Sequence, residues 1–181
     1  MEQTRRDRFL PFILTLAIIG VDQGTKAWVV ATIPQGSVHA SFLSDFIWIC
    51  HVRNLAIGFS IGAGLPDTLK RIFFILLPLV LLLLIVFYMV RSSDITRFQR
   101  WMLAGIVGGG MGNIIDRIFR PLGVVDFFSV EVYGLFGFER WPTFNVADAS
   151  IVVTGILLML NILFFHRKNL EIDDNKETVD E

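Results

Sequence analysis

The sequence predicts a membrane protein with an all-α core of four transmembrane helices and a small extracytoplasmic β-element built from its two outer loops. Hydrophobic residues make up 54% of the 181 residues and charged residues only 18%, a balance too apolar for an ordinary soluble domain. Four stretches are apolar over about the 20 residues that a helix needs to cross a hydrocarbon core. The loops after the first and third stretches alternate apolar and polar residues, as strands do.

The predicted spans cover residues 9–33, 69–90, 98–118 and 146–165. The second is the most apolar, and Pro78 within it predicts a kink, which a membrane helix tolerates. The first could also be a secretory signal peptide, since arginines precede its apolar run. A span is the better interpretation, because no convincing cleavage site follows and the apolar pattern resumes after Lys26.

The distribution of Lys and Arg predicts the orientation. Three arginines precede the first span. Arg91 and Arg97 lie between the second and third spans, with Arg100 at the start of the third, and Arg167 and Lys168 follow the fourth. The positive-inside rule makes these segments cytoplasmic, so both termini lie inside and residues 34–68 and 119–145 form outer loops. Residues 1–168 are expected to form one membrane domain, and the acidic 169–181 segment a disordered cytoplasmic tail.

The two outer loops are expected to contain short strands. The stretches "DFIWICHVRN" at 45–54 and "DFFSVEVYG" at 126–134 alternate at period two, so one face of each can lie against the bilayer or the helix ends. Trp28, Trp48 and Trp141 are expected at the outer interface, where amphipathic rings concentrate.

Composition also excludes several classes of function. A net charge of −1 gives no basic footprint for nucleic acid. The single cysteine, Cys50, excludes an intrachain disulfide, and the three histidines are scattered without metal-ligand spacing. We therefore expect no metal and no cofactor.

Charged residues inside the predicted spans gather at one end of them. At 1.5 Å per residue, Asp22 lies about 20 Å from the inner end of its helix, and Asp116 and Arg117 lie about 22–24 Å from theirs. Asp148 begins a helix that runs inward, so it also lies at the outer end. A charge at a helix centre costs roughly 2.5–3.5 kcal/mol, so charges in spans are usually paired or functional.

The spacing of these residues leaves several roles open. Asp22 and Lys26 are four residues apart and can neutralise each other as an ion pair that fixes helix depth. Glycines at 105, 108, 109 and 112 form two small-xxx-small pairs that favour close helix packing, but packing does not explain Asn113, Asp116 and Arg117 on the next turn. Asn161, deep in the fourth span, is expected to hydrogen-bond a neighbouring helix.

Two further carboxylates are the sharpest catalytic candidates. Asp126 lies in "GVVDFF" and Asp148 in "FNVADAS", each among apolar or small neighbours that disfavour a charged carboxylate. Two such groups sharing a site can divide the roles of general base and proton holder, and so activate water against a peptide carbonyl. Taken singly, Asp148 could instead cap its helix or bond another helix, and Asp126 could be a turn carboxylate.

Five blocks together resemble a known family. In order they are "VDQGTKAWV", "RNLAIGFSI", "GGGMGNIIDRIF", "GVVDFFSV" and "FNVADASI", and they resemble the blocks of bacterial lipoprotein signal peptidase, the type II signal peptidase. The resemblance runs from about residue 21 to residue 151. Two departures exchange small residues for small residues: "NLAIGFS" reverses the family's usual order of glycine and alanine, and Gly110 stands where alanine is usual.

The resemblance implies an integral aspartic peptidase of the bacterial inner membrane that cuts prolipoproteins just before their diacylglyceryl-modified cysteine. It implies that Asp126 and Asp148 are the catalytic pair and that globomycin inhibits the enzyme. It also implies a β-cradle and a short mobile helix at the outer face. The remaining polar positions of the blocks would support the site or contact substrate, and they are Asp22, Lys26, Asn54, Asn113, Asp116, Arg117 and Asn145. For Arg117, a substrate carbonyl, lipid ester oxygens and a salt bridge to Asp116 are all possible partners.

Two other classes compete with the peptidase. A proton- or ion-coupled transporter would use Asp22, Asp116 and Asp148 as a relay, and would be expected to spread charges through the membrane and to carry an internal repeat. A non-catalytic scaffold would bind a partner through its outer strands and would tolerate the loss of either Asp126 or Asp148.

Overall fold

The computed structural model of the protein describes residues 5–54, 64 and 66–177. Its helices and strands, in chain order, are α1 Arg5–Phe9, α2 Phe12–Thr32, β1 Val38–Phe42, β2 Ile47–Asn54, α3 Asp67–Arg71, α4 Leu77–Arg91, α5 Arg97–Phe119, β3 Val124–Val130 and α6 Val146–Glu177. Most of the "RNLAIGFSI" block falls on residues outside the described ranges. The short mobile helix that the resemblance implies at the outer face stays a prediction.

Three helical stretches of the described chain are long and apolar enough to cross a membrane. They are Arg5–Thr32, Thr68–Arg91 and Val146–Phe164, which correspond to the first, second and fourth predicted spans. Helix α5, predicted as the third span, is not among them, because its glycines and its polar ends lower its hydropathy. The structure therefore supports a mostly helical membrane protein, and the prediction of four spans is not confirmed.

Helix α5 lies at the centre of the helical bundle, where it packs against α2, α4 and α6. It begins with a capping box in which Thr96 and Gln99 bond each other's backbone N–H groups. Its glycines allow the close packing predicted from their spacing: Gly108 meets the backbone of Thr15 on α2, and Gly109 meets the carbonyl oxygen of Ala147 on α6. A helix surrounded by other helices needs less apolar surface of its own.

The second span contains an irregularity just before Pro78, the residue at which a kink was predicted. Residues 72–76 form a π-helical turn between α3 and α4, in which the N–H of Leu77 bonds the carbonyl of Ile72. Proline has no N–H to donate and its ring crowds the preceding turn, so the wider turn relieves the clash. The turn places Phe74 and Pro78 beside the polar end of α5.

The strands form one antiparallel sheet in the order β1-β2-β3. The two strands predicted from separate outer loops, β2 and β3, pair with each other, with Val52 opposite Asp126 and Asn54 opposite Val124. The β1 strand was not predicted. Val125 and Phe127 on the lower face of β3 pack on Val29 and Ile33 at the end of α2. The sheet therefore covers the end of the bundle at which α2 and α5 finish, called here the sheet end.

Helix α6 is longer than the predicted fourth span. It continues to Glu177, through most of the segment predicted as a disordered tail, because residues 169–177 contain no glycine or proline to stop a helix. Nearer the middle of α6, Asn161 accepts a 3.0 Å hydrogen bond from Gln99 on α5. The prediction of an interhelical bond at Asn161 is confirmed.

Replacing Gly109 by Ala is expected to lower the free energy of unfolding by about 1–3 kcal/mol, the usual cost of overpacking. The added Cβ would overlap the carbonyl oxygen of Ala147 and lie 2.8 Å from Cγ1 of Ile151. The clash with Ala147 involves backbone, which cannot move aside as a flexible side chain could. Thermal unfolding in detergent measures the change. Gly155→Ala is the matched control, since nothing lies within 4 Å of a Cβ there. Equal stability of the two variants would contradict the close packing of α5 and α6.

Candidate active site

A cavity of about 330 Å³ opens at the sheet end, between β3, α5, α6 and the π-helical turn. Its polar wall contains Asn54, Asn113, Arg117, Asp126 and Asp148, and its apolar wall includes Phe74 and Trp141. The two carboxylates thus come to one cavity from a strand and a helix that are distant in the sequence. The site lies where three helix ends meet the sheet.

Asp126 projects from the middle of β3 and is 2% exposed. Two amide groups hold its carboxylate: Nδ2 of Asn145 donates to Oδ1 at 2.7 Å, and Nδ2 of Asn54 donates to Oδ2 at 3.1 Å. Burial, and next the charge of Asp148, raise the pKa of Asp126 to about 7, although the two amides act in the opposite direction. Asp126 can therefore carry a proton near neutral pH.

Asp148 lies in the first turn of α6, three residues after the capping residue Asn145. The two form a capping box: the N–H of Asp148 donates to Oδ1 of Asn145 at 2.9 Å, and the N–H of Asn145 donates to Oδ2 of Asp148 at 3.2 Å. Nδ2 of Asn113 on α5 donates to Oδ1 of Asp148 at 2.7 Å. Both structural roles considered for Asp148, helix cap and interhelical partner, are present, and the side chain still lines the cavity.

One residue, Asn145, contacts both carboxylates. Its Nδ2 donates to Asp126 and also to Oδ1 of Asn113 at 3.1 Å, while its backbone N–H donates to Asp148. Asn145 and Asn113 thus form an amide network that fixes Asp126 relative to Asp148. The structure brings these four predicted site residues together.

A cluster of buried charges lies beneath the amide network. Nζ of Lys26 is 2.8 Å from Asp22 Oδ2, 3.1 Å from Asp116 Oδ2 and 3.1 Å from Oδ1 of Asn113. All three charged side chains are 0% exposed. The ion pair predicted from the spacing of Asp22 and Lys26 is confirmed, and Asp116 joins it from a second helix. Gly112 makes room for the cluster, since a Cβ there would lie 2.6 Å from Asp22 Oδ2.

The carboxylates of the charge cluster also fix the neighbouring backbone. Asp22 Oδ1 accepts from the N–H of Ala147 at 3.0 Å, which ties α2 to the start of α6. Asp116 Oδ2 accepts from the N–H of Val125 at 3.1 Å, which ties α5 to β3 next to Asp126. The cluster therefore sets the positions of both elements that carry the candidate catalytic residues.

Sequence reasoning missed two members of this cluster. Nε2 of Gln23 donates to Asp22 at 3.1 Å, to Asp116 at 3.0 Å and to the carbonyl of Gly112 at 3.0 Å. Arg120 forms an ion pair with Asp116. The spacing of four residues between Asp116 and Arg120 could have indicated the second, because such positions share a helix face.

Arg117 faces the cavity. Its Nη1 donates to the carbonyl oxygen of Asn113 at 3.1 Å, one turn earlier on α5. A salt bridge from Arg117 to Asp116 was one of its predicted roles. In the structure, Asp116 instead pairs with Lys26 and Arg120. The guanidinium of Arg117 therefore lines the same cavity as Asp126 and Asp148. Within residues 5–54, 64 and 66–177, no group of three or more His, Cys, Asp or Glu side chains is placed to hold a metal ion.

The fold and the site define a helical membrane protein with paired carboxylates in a cavity at one end of its helices. A family model described as signal peptidase (SPase) II matches residues 14–164. The chain belongs to this peptidase family.

Similar proteins cover nearly the whole chain. The lipoprotein signal peptidase of Treponema denticola is 42% identical over 171 residues, which is 94% of this chain and 98% of the relative. The lipoprotein signal peptidase of Borreliella afzelii is 42% identical over 93% of this chain and 98% of its own. That of Treponema pallidum is 39% identical over 90% of this chain and 88% of its own.

Solved structures share the fold. A bacterial membrane enzyme determined by the in meso method at 2.3 Å resolution superposes with a TM-score of 0.73 and 25% identity, over 85% of this chain and 87% of the other. A second such structure, at 1.9 Å resolution, gives a TM-score of 0.71 at the same identity, over 85% of this chain and 92% of the other. The membrane character of these structures agrees with the apolar helices described above.

Proposed function

We propose that the protein is an intramembrane aspartic endopeptidase that cleaves the signal peptide of prolipoproteins immediately before the diacylglyceryl-modified cysteine. The supporting observation is the convergence of Asp126 and Asp148 on one cavity, where Asn145 bonds both. The similar proteins named lipoprotein signal peptidase supply the substrate class. No cofactor takes part in the proposed reaction.

The reaction needs one carboxylate with a proton and one without. Asp126, with a pKa raised to about 7, is the residue we assign as the initial proton holder, hydrogen-bonded to the scissile carbonyl oxygen. Asp148 takes a proton from water, whose oxygen then forms a bond to the carbonyl carbon. As the C–N bond breaks, a carboxyl proton passes to the leaving amine, the free α-amino group of the lipidated cysteine.

The polar residues around the pair position it and the substrate. Asn54 and Asn145 hold Asp126, and Asn113 holds Asp148. The guanidinium of Arg117 offers parallel N–H donors to a substrate carbonyl or to ester oxygens of the lipid. Asp22, Lys26 and Asp116 act through the backbone of α6 and β3, so they are positioning residues.

A lipidated substrate determines where the site should lie in the membrane. A diacylglyceryl group partitions into the bilayer, which brings the scissile bond to the membrane surface. In the proposed orientation the protein spans the bacterial inner membrane four times, with both termini cytoplasmic and the sheet end at the outer face. Helix α5 is the proposed third span, since it is surrounded by three other helices and needs little contact with lipid.

The rival functions lack supporting geometry. A transporter relay needs carboxylates that exchange protons across the membrane, whereas Asp22 and Asp116 are bound to one lysine at a single end of the bundle. A scaffold gives no reason for two carboxylates, one buried and one partly buried, to line a common cavity.

The direct test is cleavage of a diacylglyceryl-modified prolipoprotein by the purified protein in detergent. Mass spectrometry of the product should give the lipidated cysteine as its new N-terminus, and globomycin should block the reaction. The Treponema denticola lipoprotein signal peptidase serves as the reference enzyme. Failure to cut a substrate that this relative cuts would refute the proposed function.

The rate of cleavage is expected to fall as pH rises above about 7, because Asp126 then loses the proton that the reaction requires. Removing the Asn54 amide in Asn54→Ala removes a donor that favours the charged form of Asp126, so the pKa rises and the alkaline limb should move to higher pH. The kcat/KM profile against pH measures both effects. Asn161→Ala removes an amide remote from the cavity and should leave the alkaline limb of the pH profile in place. An unchanged alkaline limb in Asn54→Ala would contradict the assignment of Asp126 as the proton holder.

A further inference from the structure

A second cavity, of about 410 Å³, lies beside the active-site cavity. It opens between the start of the second span, the end of α5 and the turn at Pro121 and Gly123. The two cavities share Asn54, Phe74 and Arg117. We call it the basic cavity, because Lys70, Arg71, Arg117 and Arg120 all line it. No aspartate or glutamate lies among the described residues that line it.

Arg53 adds a fifth cation at the edge of the basic cavity. Its Nη1 approaches the carbonyl oxygen of Gly123 at 3.5 Å, and within the described chain its buried Nε has no hydrogen-bond partner. Burial and then the like charge of Arg120 lower the pKa of Arg53. Asp116 opposes this effect, but that carboxylate also binds Lys26. The cations therefore repel one another and would be stabilised by an added anion.

Part of the lining of the basic cavity is apolar. It contains Phe74 and Ile75 from the π-helical turn and Ile118 from α5, which is 51% exposed. A cavity lined by both cations and hydrocarbon matches an amphipathic anion better than a fully hydrated one. The arrangement also lies at the end of a membrane span, where lipid headgroups are found.

The number of cations at this end needs an explanation. In the proposed orientation the basic cavity lies on the outer side, and Lys and Arg are normally enriched near the inner ends of spans. Pairing within the protein accounts for part of this charge, since Arg120 contacts Asp116. Arg53, Arg71 and Arg117 have no carboxylate within salt-bridge distance among the residues whose side chains the structure describes.

We propose that the basic cavity binds the phosphate group of an anionic phospholipid, whose acyl chains lie along Phe74, Ile75 and Ile118. Arginine and lysine bind phosphate oxygens through short, charge-assisted hydrogen bonds. A lipid bound there would form one side of the entrance to the active-site cavity, through the shared residues Asn54, Phe74 and Arg117. The proposal does not depend on peptidase activity.

The test is equilibrium binding to the purified full-length protein in detergent, measured by calorimetry. The probes are short-chain phosphatidylglycerol, short-chain phosphatidylcholine and inorganic phosphate. Lys70→Gln with Arg71→Gln removes two cations from the basic cavity and none from the active site. Arg91→Gln with Arg97→Gln removes two exposed cations from the opposite end of the bundle and is the matched control. Circular dichroism verifies that both double variants are folded.

Phosphatidylglycerol is expected to bind to the wild-type protein and the control alike, and about tenfold more weakly to the Lys70 and Arg71 double variant, as expected for lost hydrogen bonds to a charged group. Weaker binding of phosphatidylcholine and of phosphate would support an anionic lipid as the ligand. If inorganic phosphate binds as tightly as phosphatidylglycerol, the proposal that the ligand is a lipid is wrong. Equal binding of both lipids, or no effect of the double variant, would overturn the site itself.

Discussion

Asp126→Asn and Asp148→Asn are each expected to lower the rate of prolipoprotein cleavage by about 10²–10⁴-fold, the range for loss of a general acid or base. An amide cannot accept the proton from water and cannot pass a carboxyl proton to the leaving amine. The two losses should be similar, and the double variant should be little worse than either, because the residues act as one unit. Single-turnover cleavage by purified protein measures the effect.

A matched control separates chemistry from folding. Asp45→Asn changes an exposed carboxylate at the tip of the β1-β2 hairpin, where Asp45 bonds Ser41 and Trp48, and it should keep nearly full activity. Circular dichroism and thermal unfolding should find all three variants folded. Substantial cleavage by a folded Asp126→Asn or Asp148→Asn variant would contradict the aspartic mechanism and would favour the scaffold hypothesis or another catalytic group.

Lys26→Met is expected to lower the free energy of unfolding by about 3–5 kcal/mol, the usual cost of removing one partner from a buried ion pair. The substitution leaves Asp22 and Asp116 facing each other without the cation that separates them, in a place that water does not reach. Activity should fall as well, since these carboxylates hold the backbone of Ala147 and Val125. The yield of folded protein and its unfolding midpoint in detergent measure the loss.

Two further variants test whether the broken buried ion pair causes the loss of stability in Lys26→Met. Arg91→Met removes an exposed cation and should change stability by less than about 0.5 kcal/mol, as surface substitutions do. Asp116 keeps its ion pair with Arg120 in Lys26→Met, whereas Asp22 loses its cation. Adding Asp22→Asn removes that unpaired charge, so the double variant should regain about 1–3 kcal/mol relative to Lys26→Met alone. A Lys26→Met variant as stable as the wild-type protein would mean that the buried charges are not coupled.

Periodicity along the chain was enough to predict those helices and strands whose apolar pattern is visible within their own sequence. Apolar runs predicted the three longest apolar helices, and alternation predicted β2 and β3, because those patterns depend only on neighbouring residues. The β1 strand was missed although its five residues, "VHASF", alternate apolar and polar, because the run is short and its central apolar residue is only an alanine. Nor did it predict that α5 would be so polar and still central, since that depends on the helices around it.

The sequence was enough to predict which residues belong to the candidate site, but not most of the contacts between them. Asp22 and Lys26 could be paired from their spacing because one helix places them together. The bridge that Asn145 makes between Asp126 and Asp148 could not, because it joins β3 to α6 through a fold that spacing does not encode. Gln23 was missed for the same reason: its partner Asp116 lies on another helix, 93 positions away in the chain.

The low hydropathy of α5 affects the order in which the protein can assemble during synthesis. A helix with so many glycines gains little from lipid, and its small surfaces are complementary to α2 on one side and α6 on the other. The ribosome makes α2 before α5 and α6 after it, so the surface of α5 that packs on α6 stays uncovered until α6 has been synthesised. Asn145 and Asp148 arrive with that last helix. The candidate site and the contact between α5 and α6 therefore form in the same step of assembly.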